Sequence, residues 1–370
     1  MNFSNSRSRY KRLNFAANLF LASFLVFAAT SCTDEDDNET SNSLYTNGAF
    51  ILNEGGYGQS NASVSFYSFD DQIVYGSIFT KSNGVNTKLG DVLQDMEIVD
   101  DNAYLIMNAS NSIQVVNKND FTWVTTIEGL NSPRFATHYN GKLYVSQWGS
   151  TTGSVVVIDL ETNTITDTIT TGNGTEGIMV NNGLIWAANS GGFGVDNTIS
   201  IIDPGTNEIL KTVEVSDGPK HFATDANNDV WVICYGSQIY DSDTWELISE
   251  TGSALIKLSG TDQSVLKTIE IGDQTHPSHL GISPDNQTLY TDTYTGIFAI
   301  DVDSETFPSE PLISGYYYGF SVNPANGNIY TCQSPDFTTS GTVIIYNDKG
   351  EKELELSENI GIGPNAVIFF

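Results

Sequence analysis

The residues with chemical potential in this chain are few and sit in short loops. His221, His276 and His279 fall in two loops that also hold Pro219 and Pro277. Imidazole nitrogens suit zinc, copper or cobalt, and three of them on neighbouring repeats could converge. The competing reading makes them hydrogen-bonding wall residues, and we expect the protein to hold no metal of its own. Arg134, after Pro133, offers a contact for a phosphate or amide oxygen, or else neutralises a carboxylate such as Asp95. Tyr57, Trp148, Tyr235, Tyr294, Tyr318 and Phe337 supply ring faces for stacking, against the plainer reading of rim or packing aromatics. Gln94, Glu176 and Asp336 complete a candidate ligand-binding set with Arg134, His221 and His279. Aromatic faces among amides and few charges suit a large, mostly neutral, polar ligand.

Catalytic signatures are weak. The chain has no G-x-S-x-G, no H-E-x-x-H and no phosphate-cradling glycine loop, and Asn53-Glu54-Gly55-Gly56 reads as a tight turn. We expect no catalytic residue. A metal-dependent lyase built from His279, His221 and Glu176 is the enzymatic alternative.

Repeats must position these groups. Asn117, Asp159, Asp203, Ser259, Asp301 and Asn347 hold one slot at spacings of 42, 44, 56, 42 and 46. Each is followed by a turn and an alternating Thr/Val/Ile strand, which is hairpin chemistry. A period of 40 to 45 residues with four short strands per unit predicts an all-β propeller. Six units run 89–127, 128–169, 170–213, 214–269, 270–313 and 314–356, and Tyr235 to Gly252 is an insertion in the fourth. Residues 47–79 supply three strands without an opening one, whereas Gly363 to Phe370 has the opening pattern and stops. Pairing of these N- and C-terminal segments in one blade predicts a closed seven-bladed ring over 47–370. The loops leading into the inner strands, and those joining second to third strands, then share one face and carry the candidate set. Cys234 and Cys332 fall two blades apart, so they read as buried thiols.

Composition narrows the partners. The 370 residues hold 15 Lys+Arg against 45 Asp+Glu, a formal charge of −30, which repels nucleic acid. Arg7, Arg9, Lys11 and Arg12 precede the apolar run Leu19 to Ala29, then Ala29-Thr30-Ser31-Cys32. Residues 1–31 resemble a bacterial lipoprotein signal. That resemblance implies a lipidated Cys32, an acidic tether over 32–46 and an outer-membrane lipoprotein facing the cell exterior. Cleavage at Ala-Thr-Ser to free a secreted chain is the alternative.

The segments NEGGYGQSNASVSFYS (53–68), KLGDVLQDMEIVDD (88–101), NSPRF (131–135) and YYYGFSVNPANGNIYTCQSPDFTTSGTVIIYNDKG (316–350) resemble the BtuG family of YncE-like surface propellers. The resemblance implies non-catalytic capture of cobalamin or a related corrinoid, with delivery to a TonB-dependent outer-membrane transporter. A siderophore or a glycan is the alternative ligand.

Overall fold

The computed structural model describes residues 44–370; the leader 1–31, Cys32 and most of the 32–46 tether lie outside the described residues. Seven four-stranded antiparallel sheets form the blades of a ring. Blades 1 to 6 span 93–128, 133–170, 175–214, 219–272, 280–314 and 319–356. Their inner strands are Leu93–Val99, Pro133–Tyr139, Thr175–Asn181, Pro219–Thr224, Leu280–Ile282 and Gly319–Val322. In blade 7 the inner strand is the C-terminal Pro364–Phe369, which pairs with Gly48–Asn53 from the other end of the described chain. Ala49 faces Phe369 and Leu52 faces Ala366, so the expected closure forms. Each inner strand touches the next around the ring, and the seventh touches the first.

The repeated slot does the work its residue types imply. Asn117, Asp159, Asp203, Asp301 and Asn347 each accept a backbone N–H two or three residues ahead through side-chain oxygen, at 2.8–3.0 Å. Ser259 does the same through its hydroxyl, at 3.3 Å to the Thr261 N–H. These turns fix the register of the third and outer strands. Second and third strands supply the core between blades, as where Trp186, Ile199 and Ile201 meet Val230, Val232 and Ile256. Cys234 and Cys332 are buried free thiols in such strands.

Two local outcomes go beyond the sequence pattern. The insertion in blade 4 is itself a two-stranded hairpin, Ser237–Tyr240 with Leu247–Thr251. The third strand expected within 47–79 is only Ile73–Tyr75, and a one-and-a-half-turn helix, Ile78–Asn83, follows it. Buried Ile78 and Phe79 anchor that helix, and the Asn83 amide donates to the Phe121 carbonyl at 2.9 Å, tying it to blade 1.

Candidate functional site

The inner strands do not run regularly into the mouth of the ring. In blades 1 to 4 and 7 the pairing with the second strand slips by one residue, leaving Gln94, Arg134-Phe135, Glu176-Gly177, Lys220-His221 and Asn365 out of register. A β-bulge bends its strand and re-aims the extra side chain. His279 and Tyr318 stand just ahead of the inner strands of blades 5 and 6. One residue per blade thus points at the axis: Gln94, Arg134, Glu176, Lys220, His279, Tyr318 and Asn365, all lining one cavity of about 840 Å³.

Backbone spacing at this ring depends on missing side chains. A Cβ on Gly177 would stand 1.9 Å from the Lys220 carbonyl oxygen, and one on Gly319 would stand 2.0 Å from that of Asn365. Both glycines let adjacent inner strands approach at the level of the site.

The polar groups are wired to one another. Arg134 donates Nε and Nη2 to Glu176 at 3.0 and 2.8 Å, and Nη1 to the Gln94 amide oxygen at 2.6 Å. The carboxylate that Arg134 neutralises is Glu176 of the next blade and not Asp95. Tyr318 donates its hydroxyl to Glu54 at 2.8 Å, and Asn365 donates to the other Glu54 oxygen at 3.1 Å. Asp292 accepts the N–H groups of Ser278 and His279, at 2.9 and 2.8 Å, and lies 3.0 Å from His279 Nδ1.

Burial sets the protonation states. Burial raises the Glu54 carboxyl against its donors Tyr318 and Asn365. It lifts Asp95 to about 7, only partly offset by the Ala136 N–H, with Glu97 adding repulsion. Glu176 would also rise on burial, but the Arg134 charge and hydrogen bonds reverse this and hold it at about 2. For Asp292, burial is likewise outweighed by His279, and the net direction is down. Desolvation, reinforced by nearby His279, drives His221 to about 3, so its imidazole is neutral. Lys220 is lowered by burial against the pull of Glu176.

Ten of the twelve expected ligand-binding residues line this cavity: Tyr57, Gln94, Arg134, Glu176, His221, Tyr235, His279, Tyr294, Tyr318 and Phe337. Two do not. Trp148 roofs the ion pair from outside, with its ring 4.4 Å from the Arg134 guanidinium and Nε1 donating to Glu176 at 2.5 Å. Asp336 turns away and accepts the N–H groups of Thr338 and Thr339 at 2.9 and 2.7 Å, a turn-holding role. The consecutive tyrosines divide: Tyr317 is buried and donates to the Ser314 carbonyl at 3.0 Å, while Tyr316 is 59% exposed beside Tyr294 on the rim.

The histidines also divide. His221 and His279 stack with ring centroids 5.8 Å apart. His276 is held separately, between the Tyr235 carbonyl at 2.8 Å and Glu250 of the inserted hairpin at 2.6 Å. Among the described residues no group of three His, Cys, Asp or Glu is arranged to hold a metal ion. All three imidazoles line the cavity.

Glu54, Lys220, Asp292 and Asn365 are site residues that the candidate set omitted. Two of them have a sequence signal: Lys220 and Asn365 follow the proline that opens an inner strand, as Arg134 does.

The chain belongs to the family described as a domain of unknown function, DUF5074, whose model matches residues 47–369. No curated protein matches it. Among solved structures it is similar to a quinonprotein alcohol dehydrogenase-like protein of Bacteroides thetaiotaomicron, with 12% identity, 87% of this chain and 78% of that one covered, and a TM-score of 0.63. It is similar also to a candidate 6-phosphogluconolactonase of Bacteroides fragilis, with 13% identity, 90% and 100% coverage and a TM-score of 0.62. The hydrazine synthase of Kuenenia stuttgartiensis aligns at 14% identity over 74% of this chain and 88% of that one, with a TM-score of 0.55. At these identities the likeness is one of fold.

Proposed function

We propose that the protein is a non-catalytic capture protein whose bowl holds a large polar small molecule, with cobalamin or a related corrinoid as the leading ligand. The observation that carries the reading is the convergence of side chains from all seven blades on one cavity of about 840 Å³. The rim above it bears tyrosines that have little reason to be exposed otherwise, Tyr57 at 83%, Tyr294 at 54% and Tyr316 at 59%. A corrinoid is wider than such a cavity and would lie across the mouth, stacking on the rim and sending amide groups inward. The corrinoid assignment rests on the resemblance of residues 53–68, 88–101 and 316–350 to BtuG-type surface propellers. Lipidation at Cys32 would anchor the protein in the outer membrane, facing outward, beside a TonB-dependent transporter.

Purified protein mixed with cyanocobalamin and passed over a sizing column tests the ligand. Red colour co-eluting with protein supports it, and no colour retained at micromolar protein overturns it. The exposed tyrosines would equally stack on sugar rings, so calorimetric titration against glycans and siderophores separates that second reading. A lyase would show turnover abolished by chelation.

A further inference from the structure

The charged groups of the bowl are almost all satisfied within the protein. Glu54 has Tyr318 and Asn365, Asp95 has the Ala136 N–H at 2.9 Å, Glu176 has Arg134 and Trp148, and Asp292 has three donors. Arg134 is engaged on both sides. Lys220 is the exception. Its Nζ stands 4.6 Å from the centre of the Tyr235 ring, and among the described residues no carboxylate or carbonyl oxygen contacts it. Glu176 and Asp292 act on it only at longer range.

An ammonium carries three N–H donors. Half-buried on the wall of the bowl and without a protein acceptor, it keeps those donors for an oxygen that enters the bowl. The bulge opposite Ile233 is what directs it inward, with neutral His221 beside it in the sequence and His279 stacked on that imidazole. Neither ring nitrogen of His221 has a hydrogen-bond partner among the described residues, so it stands ready to donate to the same oxygen.

We propose that Lys220 is an anion-recognition residue: its ammonium, flanked by His221, takes an acidic oxygen of the captured molecule, from a phosphoryl or carboxylate group. This rests on the bowl being a ligand site, and on no particular ligand. Lowering of the Lys220 pKa by burial fits it, since an arriving anion would restore the full charge.

The probe is inorganic phosphate. A chain with a formal charge of −30 disfavours non-specific phosphate binding, so saturable binding is informative. Phosphate titration followed by ³¹P line width should saturate with wild type and with Lys88→Met, and should flatten in Lys220→Met. Equal saturation in Lys220→Met, or no saturation in wild type, overturns the proposal. Reductive methylation of the wild type gives an answer that needs no variant. The free amine adds to formaldehyde, water leaves, and cyanoborohydride delivers hydride to the resulting C=N bond. Phosphate at ten times its Kd should slow the methylation of Lys220 about tenfold and leave exposed Lys88 and Lys349 unchanged. An unaltered Lys220 rate sinks the idea. Cyanocobalamin retention is independent of both readouts, so failure of the corrinoid assignment and failure of this subsite are distinguishable.

Discussion

The axial channel has two chambers built by the same inner strands, and they differ in chemistry. The upper bowl is ringed by Gln94, Arg134, Glu176, Lys220 and His279. The lower chamber, about 550 Å³, has largely apolar side chains below the neck, such as Met96, Ile178, Phe222, Ile282 and Val322, with Glu97 the charged exception. Asp95, Phe135, His221, Leu280, Phe320 and Ser321 belong to both and form the neck. The boundary coincides with the bulges. Below them strand pairing is regular and the strands show apolar residues to the channel; above them each slip hands one polar side chain to the axis. A propeller of this kind changes the chemistry of its mouth without altering the sheets that support it.

The largest effect is expected where the upper ring is most tightly wired. Arg134→Ala leaves Glu176 buried with its main partner gone, and removing one member of a buried pair costs about 3–5 kcal/mol. Urea unfolding should show that loss, and the double variant Arg134→Met/Glu176→Gln should recover most of it. A single-variant loss as small as that of a surface pair would mean the ring is not a desolvated unit.

At the neck the sign depends on pH. Asp95 titrates near 7 in the folded protein against 3.8 as a free side chain, because burial disfavours its charge. A group raised on folding gives stability that is complete below the unfolded value and lost as pH rises through the folded one. Asp95→Asn, which keeps an acceptor for the Ala136 N–H, should therefore stabilise the protein by roughly 3 kcal/mol at pH 8. The gain should shrink through pH 7 and vanish near pH 4. A benefit independent of pH would place Asp95 outside the titrating neck.

Between blades 3 and 4 the contrast can be sharpened sterically. Gly177→Ala drives a methyl into the Lys220 carbonyl, which is backbone and cannot swing away. A cost of about 1–3 kcal/mol is expected, with Lys220 displaced and phosphate saturation weakened.

The ring was legible in the sequence because the outer turns repeat a chemistry that tolerates little variation: an Asx or Ser oxygen must meet a backbone N–H two or three residues on. The split blade was legible for the same reason, since Gly363 to Phe370 repeats an inner strand and then ends. The site was half legible. Loop residues such as Tyr57 and His279 stand out by type; Lys220 and Asn365 share with Arg134 the proline-led entry to an inner strand, but a bulge leaves no periodicity to show that they reach the axis. Pairing was hidden too. Arg134 and Glu176 are 42 residues apart and meet because bulges in consecutive blades bring both to the same cavity.

The smallest expected effect tests whether the bowl ends where the geometry places its edge. Phe337 and Asp336 are adjacent in the loop after the second strand of blade 6, yet they do different things. Phe337 packs edge-on against Tyr318, with ring centroids 4.9 Å apart, and lines the cavity. Asp336 holds its own turn through Thr338 and Thr339, and those hydrogen bonds keep its carboxyl low, at about 2. Asp336→Asn keeps an acceptor and should leave both melting temperature and ligand retention nearly unchanged. Asp336→Ala should lower the melting temperature slightly and still retain ligand, whereas Phe337→Ala should weaken retention by loosening Tyr318 over Glu54. If Asp336→Asn weakened retention as much as Phe337→Ala, the negative charge itself would be meeting the ligand. The boundary of the bowl would then lie one residue further out, and the division between turn chemistry and ring chemistry would not hold at blade 6.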